Sequence, residues 1–187
     1  YQDMLLSDAF VNFRQIIQDV TLNPAMGQFL NMANNAKGNA QGTILPNENY
    51  AREVMQLFMI GTSMLNPDGT PKLDAQGNFI PTYTQQTVAE FARVFTGWTY
   101  QPTSGPVNWG AYINPAGPMV PYAPMHDTNA KTVLNGVVLP AGQTAQQDLA
   151  GALDNLFNHP NAGPFIGKQL IQHLVKSNPT PAYVARV

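Results

Sequence analysis

Seven prolines, Pro102, Pro106, Pro115, Pro118, Pro121, Pro124 and Pro140, fall between Thr99 and Gly142. They constrain the fold of this chain more than any other feature. Each lacks a backbone donor and clashes with the preceding helical turn, so no long helix can cross this stretch. The segments on either side carry a helical period, and the chain reads as helices flanking a long irregular excursion. That excursion carries Tyr100, Trp109, Tyr112 and Tyr122, aromatics that must pack against something. A structureless loop of such length is unusual in a compact domain and is more often functional or disordered than filler. Inside it, Thr132 to Leu139 places β-branched residues on both sides of Asn135-Gly136, the preferred pair for a type I′ turn, and predicts a hairpin.

The flanking segments predict their own boundaries. Ser7 is a plausible cap for a helix bearing Phe10, Phe13, Ile17 and Val20. Asn23 caps a short helix with Pro24 in its first turn, and Asn34 to Gly42 reads as a surface loop. A helix from about Asn47 to Gly61 carries Tyr50, Val54, Leu57 and Phe58 on its apolar face. Lys72 to Asp74 and Gly77 to Ile80 read as a small hairpin. Thr84 caps a helix with Val88, Phe91, Ala92 and Phe95 on one face and Gln86, Glu90 and Arg93 on the other. Thr144 and Gln147 form a capping box before Leu149, Leu153, Leu156 and Phe157. A turn at Asn158 to Asn161 leads to a helix with Phe165, Ile166, Leu170 and Leu174, and Asn178 to Pro181 opens another. The expectation is a mainly α, irregular multi-helix domain with one or two small β-hairpins. It forms a single domain over 1–187, with the Pro/Gly/aromatic-rich region at 98–142.

Composition narrows the partners. Charged residues make up 11% of the chain, against about 25% in ordinary domains. The 33 Asn and Gln outnumber the 20 charged residues, so solubility rests on amides. A net charge of -2 without a basic run leaves no electrostatic footprint for nucleic acid or an anionic membrane. No run approaches the roughly 18 apolar residues of a membrane span, and there is no signal-peptide pattern at the start. Cysteine is absent, which excludes disulfides and thiolate zinc sites. Both ends look cut, since the chain opens at Tyr1-Gln2-Asp3 and stops at Arg186-Val187 within an apparent helix.

Against this charge-poor background, Asn47-Glu48-Asn49-Tyr50-Ala51-Arg52-Glu53 stands out. Glu48 and Arg52 are i,i+4 neighbours on a helix, as are Asn49 and Glu53. Two carboxylates and a guanidinium suit acid–base chemistry, and they equally suit a helix surface laced by ion pairs or an Arg buried with its acids. Glu90 and Arg93 could join them across a helix interface. His126-Asp127 is the sharpest catalytic candidate, because imidazole exchanges protons near neutrality. Asp127 or Glu53 orienting His126 would give a base for hydrolysis, and His126, Asp127 and Glu48 together would hold a divalent metal of unspecified identity. The bland alternative is a turn in which Asp127 opens an Asx turn through Thr128-Asn129. Lys131 could meet a substrate anion or Asp127, or lie on the surface. His159 and His173 read as structural. Asp68 to Asp74 lacks the acidic spacing of a calcium loop.

Three motifs occur together: Asn47 to Glu53, then Tyr83-Thr84 through Phe91-Ala92-Arg93-Val94-Phe95-Thr96-Gly97-Trp98, then His126-Asp127 with Lys131. With Asn12-Phe13-Arg14, Pro24-Ala25-Met26, Asn158-His159-Pro160 and Arg186, they cover essentially the whole chain, which resembles the DUF1800 family. The resemblance implies the central to C-terminal part of a longer, exported bacterial protein, periplasmic or extracellular, often encoded beside a DUF1501 protein. It supplies no reaction and no cofactor. Gln56 departs from the family, in which an acidic residue is common at that place, so a mechanism needing that carboxylate does not transfer.

Two functions follow as expectations. One is a hydrolase-like enzyme acting on an extracellular polymer, with Glu48, Arg52, Glu53, His126 and Asp127 as catalytic candidates and Asn49, Arg93, Trp98 and Lys131 contacting substrate. The other is a noncatalytic binding or assembly module. Its charges would lock helices together, and Trp98, Tyr100, Trp109 and Tyr112 would meet a glycan or protein partner.

Overall fold

Asn12, rather than Ser7, opens the first long helix. Its side chain accepts the Arg14 N–H at 2.7 Å and starts α2, Phe13–Leu22, whereas Ser7 ends the short α1, Gln2–Ser7, by donating back to the Asp3 carbonyl. Phe10 falls between the two and is fully exposed. Extending α2 backwards would add an apolar side chain with no surface to cover it. The computed structural model describes residues 1–110 and 113–187. Asn23 caps α3, Pro24–Phe29, as its sequence predicts.

The Asn47 segment forms α4, Asn49–Glu53, and continues as a π-helix over Val54–Met59 that closes at Gly61. The Ile60 N–H reaches back five residues to the Met55 carbonyl, and this wider turn rotates the apolar stripe. Tyr50, Val54, Met55, Met59 and Ile60 are buried, while Leu57, expected in the core, is 53% exposed. Residues 62–82 make a ribbon of isolated antiparallel bridges, Ser63 to Pro81, Leu65 to Pro71 and Leu73 to Phe79, with the expected hairpin at its tip. The buried Asn161 amide ties this ribbon to the core. It donates to the Ile60 and Ser63 carbonyls and accepts the Leu65 N–H, all within 2.9 Å.

Thr84 caps α5, Gln85–Val94, in a reciprocal box with Thr87. Val88, Phe91, Ala92 and Phe95 are buried in one core with Tyr50, whose ring meets Phe95 edge-on. The Pro-rich excursion is pinned at its neck, where β1, Trp98–Thr99, pairs antiparallel with β2, Val120–Pro121. Farther on, β3, Lys131–Thr132, pairs with β4, Val138–Leu139. Asn135 (φ 58°, ψ 25°) and Gly136 (φ 72°) form the type I′ turn between them. Thr144 and Gln147 cap α6, Ala145–Phe157, whose Leu149, Leu153 and Leu156 complete the core.

The last helices depart from expectation. In α7, Ala162–Leu174, Ile171 is buried, but Leu170 and Leu174 are 53% and 77% exposed. Together with Ile17, Leu57 and Phe58, Leu170 lines an apolar groove of about 310 Å³ between α2, the π-helix and α7. The chain ends in α8, Pro181–Val184. Among the described residues no helix is long and apolar enough to cross a membrane.

Candidate functional site

Three of the chain's polar side chains meet in the core between α5, β3 and α6. Gly97, at φ 80°, turns the chain out of α5 and lets the His126 backbone pass close by; a Cβ there would stand 2.8 Å from it. His126 Nδ1 lies 2.9 Å from the Thr96 carbonyl, which can only accept, so Nδ1 carries a proton. Nε2 faces Asp148 Oδ2 at 2.9 Å, and a second proton has to occupy that contact. Lys131 Nζ reaches the same oxygen at 2.6 Å and uses its other donors on the carbonyls of Asp127 and Asn129. The side chains of His126, Lys131 and Asp148 are 1%, 1% and 0% exposed.

A second tier covers this group. Arg93, on α5, donates through Nε and Nη2 to both oxygens of Asp127 and through Nη1 to Glu90 at 2.7 Å. Its Nη2 also reaches the Ala130 carbonyl. Asp127 in turn accepts the Asn129 N–H, which is the Asx turn among the sequence alternatives. Burial pushes the Asp127 carboxyl up, but the hydrogen bonds from Arg93 and the Asn129 N–H, with the charges of Arg93 and Lys131, hold it below the usual carboxylate range. The partner that orients His126 is therefore Asp148, and neither Asp127 nor Glu53.

The Asn47 motif lies elsewhere. Arg52 donates to Glu48 at 2.8 Å, and Gln85 joins both. Glu48 and Arg52 are about one-third exposed. No hydrogen bond or ion pair links this pair to His126 among the described residues. Asn49 spends its amide on Asn31, and Glu53 stands near Tyr83 rather than near the histidine. Glu90 and Arg93 join Asp127 instead of the Asn47 motif. Lys131 is buried, not solvated. Trp98 and Tyr100 are buried at 2% and 6% exposure, so neither presents its ring to a ligand. Trp109 stacks on Tyr122 with ring centres 5.7 Å apart, and Tyr112 lies outside the described residues. No three His, Asp or Glu side chains converge as metal ligands among the described residues, because Glu48 belongs to the separate pair with Arg52.

Asp148 is the residue that sequence reasoning missed. It follows the capping box in the first turn of α6, where an acid reads as an ordinary partner of the helix dipole. The available signal was its register, since it immediately precedes Leu149 on the buried side. Its Oδ1 is buried with no hydrogen-bond partner among the described residues, as is Gln143 Oε1. His126, Gln143 and Thr144 edge a depression of about 280 Å³.

On the outer side of the network a larger cleft, of about 440 Å³, separates residues 81–90 from residues 132–136, and Glu90 lines it. The family model described as a protein of unknown function (DUF1800) matches residues 1–187. The chain belongs to the DUF1800 family. Neither the curated proteins nor the solved structures gave a match. In this DUF1800 chain the shared motifs thus divide between a buried network (Arg93, His126, Asp127 and Lys131) and a half-exposed pair (Glu48 and Arg52).

Proposed function

We propose that this DUF1800 domain is a noncatalytic binding or assembly module of an exported bacterial protein, acting in the periplasm or outside the cell. Its polar network holds the Pro-rich segment onto α5 and α6. Saturation of the two groups best suited to chemistry carries this reading. His126 spends both ring nitrogens on Thr96 and Asp148, and Lys131 spends all three donors inside the protein. A general base needs a free nitrogen within reach of the substrate proton. The open cleft and the apolar groove between α2 and α7 add surfaces on which a glycan or a protein such as a DUF1501 partner would dock.

The hydrolase reading draws on one observation, the approach of His126 to the small depression beside Gln143. There His126 would serve as base only once one ring nitrogen has left Thr96 or Asp148.

Replacing Lys131 by Met tests how far the network holds the fold, because it leaves Asp148 buried with half its partners. Breaking a buried pair costs about 3–5 kcal/mol, so the binding reading expects a large drop in the urea midpoint of K131M, with the loss of any ligand binding following the loss of fold. A variant His126→Gln that keeps the wild-type midpoint yet abolishes turnover of an extracellular polymer would instead establish the enzyme.

A further inference from the structure

We propose that the cleft between the N-terminal half of α5 and the Asn135-Gly136 turn binds an uncharged, hydroxyl-rich ligand, a saccharide unit. The proposal rests on the binding-module reading and names its site. Tyr83, Thr84, Gln86, Thr87 and Glu90 form one wall and Asn135 stands on the other. The volume of about 440 Å³ lies within the usual range for ligand pockets, about 300–1,000 Å³.

The chemistry of the walls selects the ligand. The groups are hydroxyls and amides, which donate and accept without net charge, and a single carboxylate. Glu90 Oε1 accepts from Gln86 at 3.1 Å, and Oε2 accepts from Arg93 and from the Thr132 N–H. A carboxylate offers about four acceptor positions, so one remains for a ligand hydroxyl. Arg93 compensates its charge from behind, which removes the pull on a cation, while the carboxylate itself disfavours an anion. Hydrolysis of a glycosidic bond ordinarily needs two carboxylates flanking it, and Glu90 is the one that lines the cleft, so the geometry favours holding a sugar over cutting it. Tyr83 lines one end of the cleft. Burial, opposed by Arg52 and assisted by Glu53, pushes its hydroxyl up, which keeps it a neutral donor. Asn135 is exposed and sits on a rigid type I′ turn. Both walls are thus set before binding, through the α5 capping box and the hairpin, which limits the ordering cost of association.

Titration of the 187-residue chain with cellohexaose, chitohexaose and mannohexaose, followed through backbone amide NMR shifts, tests this, with hexagalacturonate as the anionic counterpart. The expected result is saturable shifts confined to residues 83–90 and 132–136 with at least one neutral hexasaccharide and none with the galacturonate. Asn135→Gly keeps the left-handed backbone and removes the amide, and Gln86→Ala removes a second amide; each should weaken binding about five- to tenfold, as for the loss of one hydrogen bond. No shift with any neutral saccharide overturns the proposal, and so does binding of the galacturonate alone. Saturable binding elsewhere, untouched by both variants, overturns the cleft and leaves the binding-module reading standing. Cleavage of a bound saccharide overturns that reading itself.

Discussion

A lysine ammonium with 1% of its side chain exposed must find an acceptor for each proton, and Lys131 does so with two carbonyls and Asp148. Two other groups, His159 and Asp127, make the fold sensitive to acid. His159 is buried and accepts the Asn161 N–H through Nδ1, and burial lowers its pKa from the ordinary 6.5. Below 6.5 the unfolded chain takes up a proton that the folded chain refuses, so stability declines as pH falls towards the lower folded value. Asp127 adds a second window. Its carboxyl is held below the ordinary 3.8, so its contribution is complete above that value and is lost as pH falls through the folded one. Urea midpoints measured from pH 8 to pH 3 should decline from about 6.5 downwards, and His159→Gln should remove the upper part of the decline and keep the lower. A midpoint flat between pH 7 and pH 5 in the wild type would count against burial as the cause. At this scale sequence reading singled out His126 for its imidazole, Arg93 for a place across a helix interface, and Asp127 and Lys131 as neighbours of His126. Asp148 was missed, because its register marks it as buried without showing which side chain it will meet.

Elements were legible where a local rule determines them. The Thr84 cap, the capping box of Thr144 with Gln147 and the Asn135-Gly136 turn depend on neighbours within a few residues. The π-helix at Val54–Met59 does not, since the choice between four- and five-residue hydrogen bonds is made by what packs on each face, so an α-helical period put Leu57 inside and Met55 out of account. The faces of α7 were missed for a related reason, because periodicity identifies an apolar stripe without showing that anything covers it. The join between α5 and the histidine offers a test at this scale. Gly97 and Gly77 share a left-handed backbone, φ 80° and 84°, but an added Cβ meets the His126 backbone at 2.8 Å at the first and open space at the second. Gly77→Ala should cost about 1–2 kcal/mol from backbone conformation alone. Gly97→Ala should cost roughly 1–3 kcal/mol more, the range for overpacking. Equal losses in urea unfolding would mean that the chain around His126 yields more easily than its contacts imply.

At the scale of the molecule, the mainly α division around an irregular middle follows from where the prolines lie, and the structure agrees with it, while the β1–β2 pairing was not foreseen. What the sequence could not supply is which distant segments meet. His126 and Asp148 come from different elements, as do Glu90 and Thr132, and no periodicity relates them. The neck formed by β1 and β2 has a further consequence for chain design. Trp98 pairs with Pro121 and Thr99 with Val120, so the segment between leaves and returns at one place, and its residues 103–106 lie exposed. Loop closure grows only logarithmically with length, about 0.6 kcal/mol for each doubling. Twenty Gly/Ser residues inserted after Ser104 should therefore lower the unfolding free energy by roughly that amount; a loss several times larger would mean that the excursion itself braces the core. With a small loss, this position becomes a socket, into which peptides of different length and chemistry can be grafted while the helices beneath keep their arrangement.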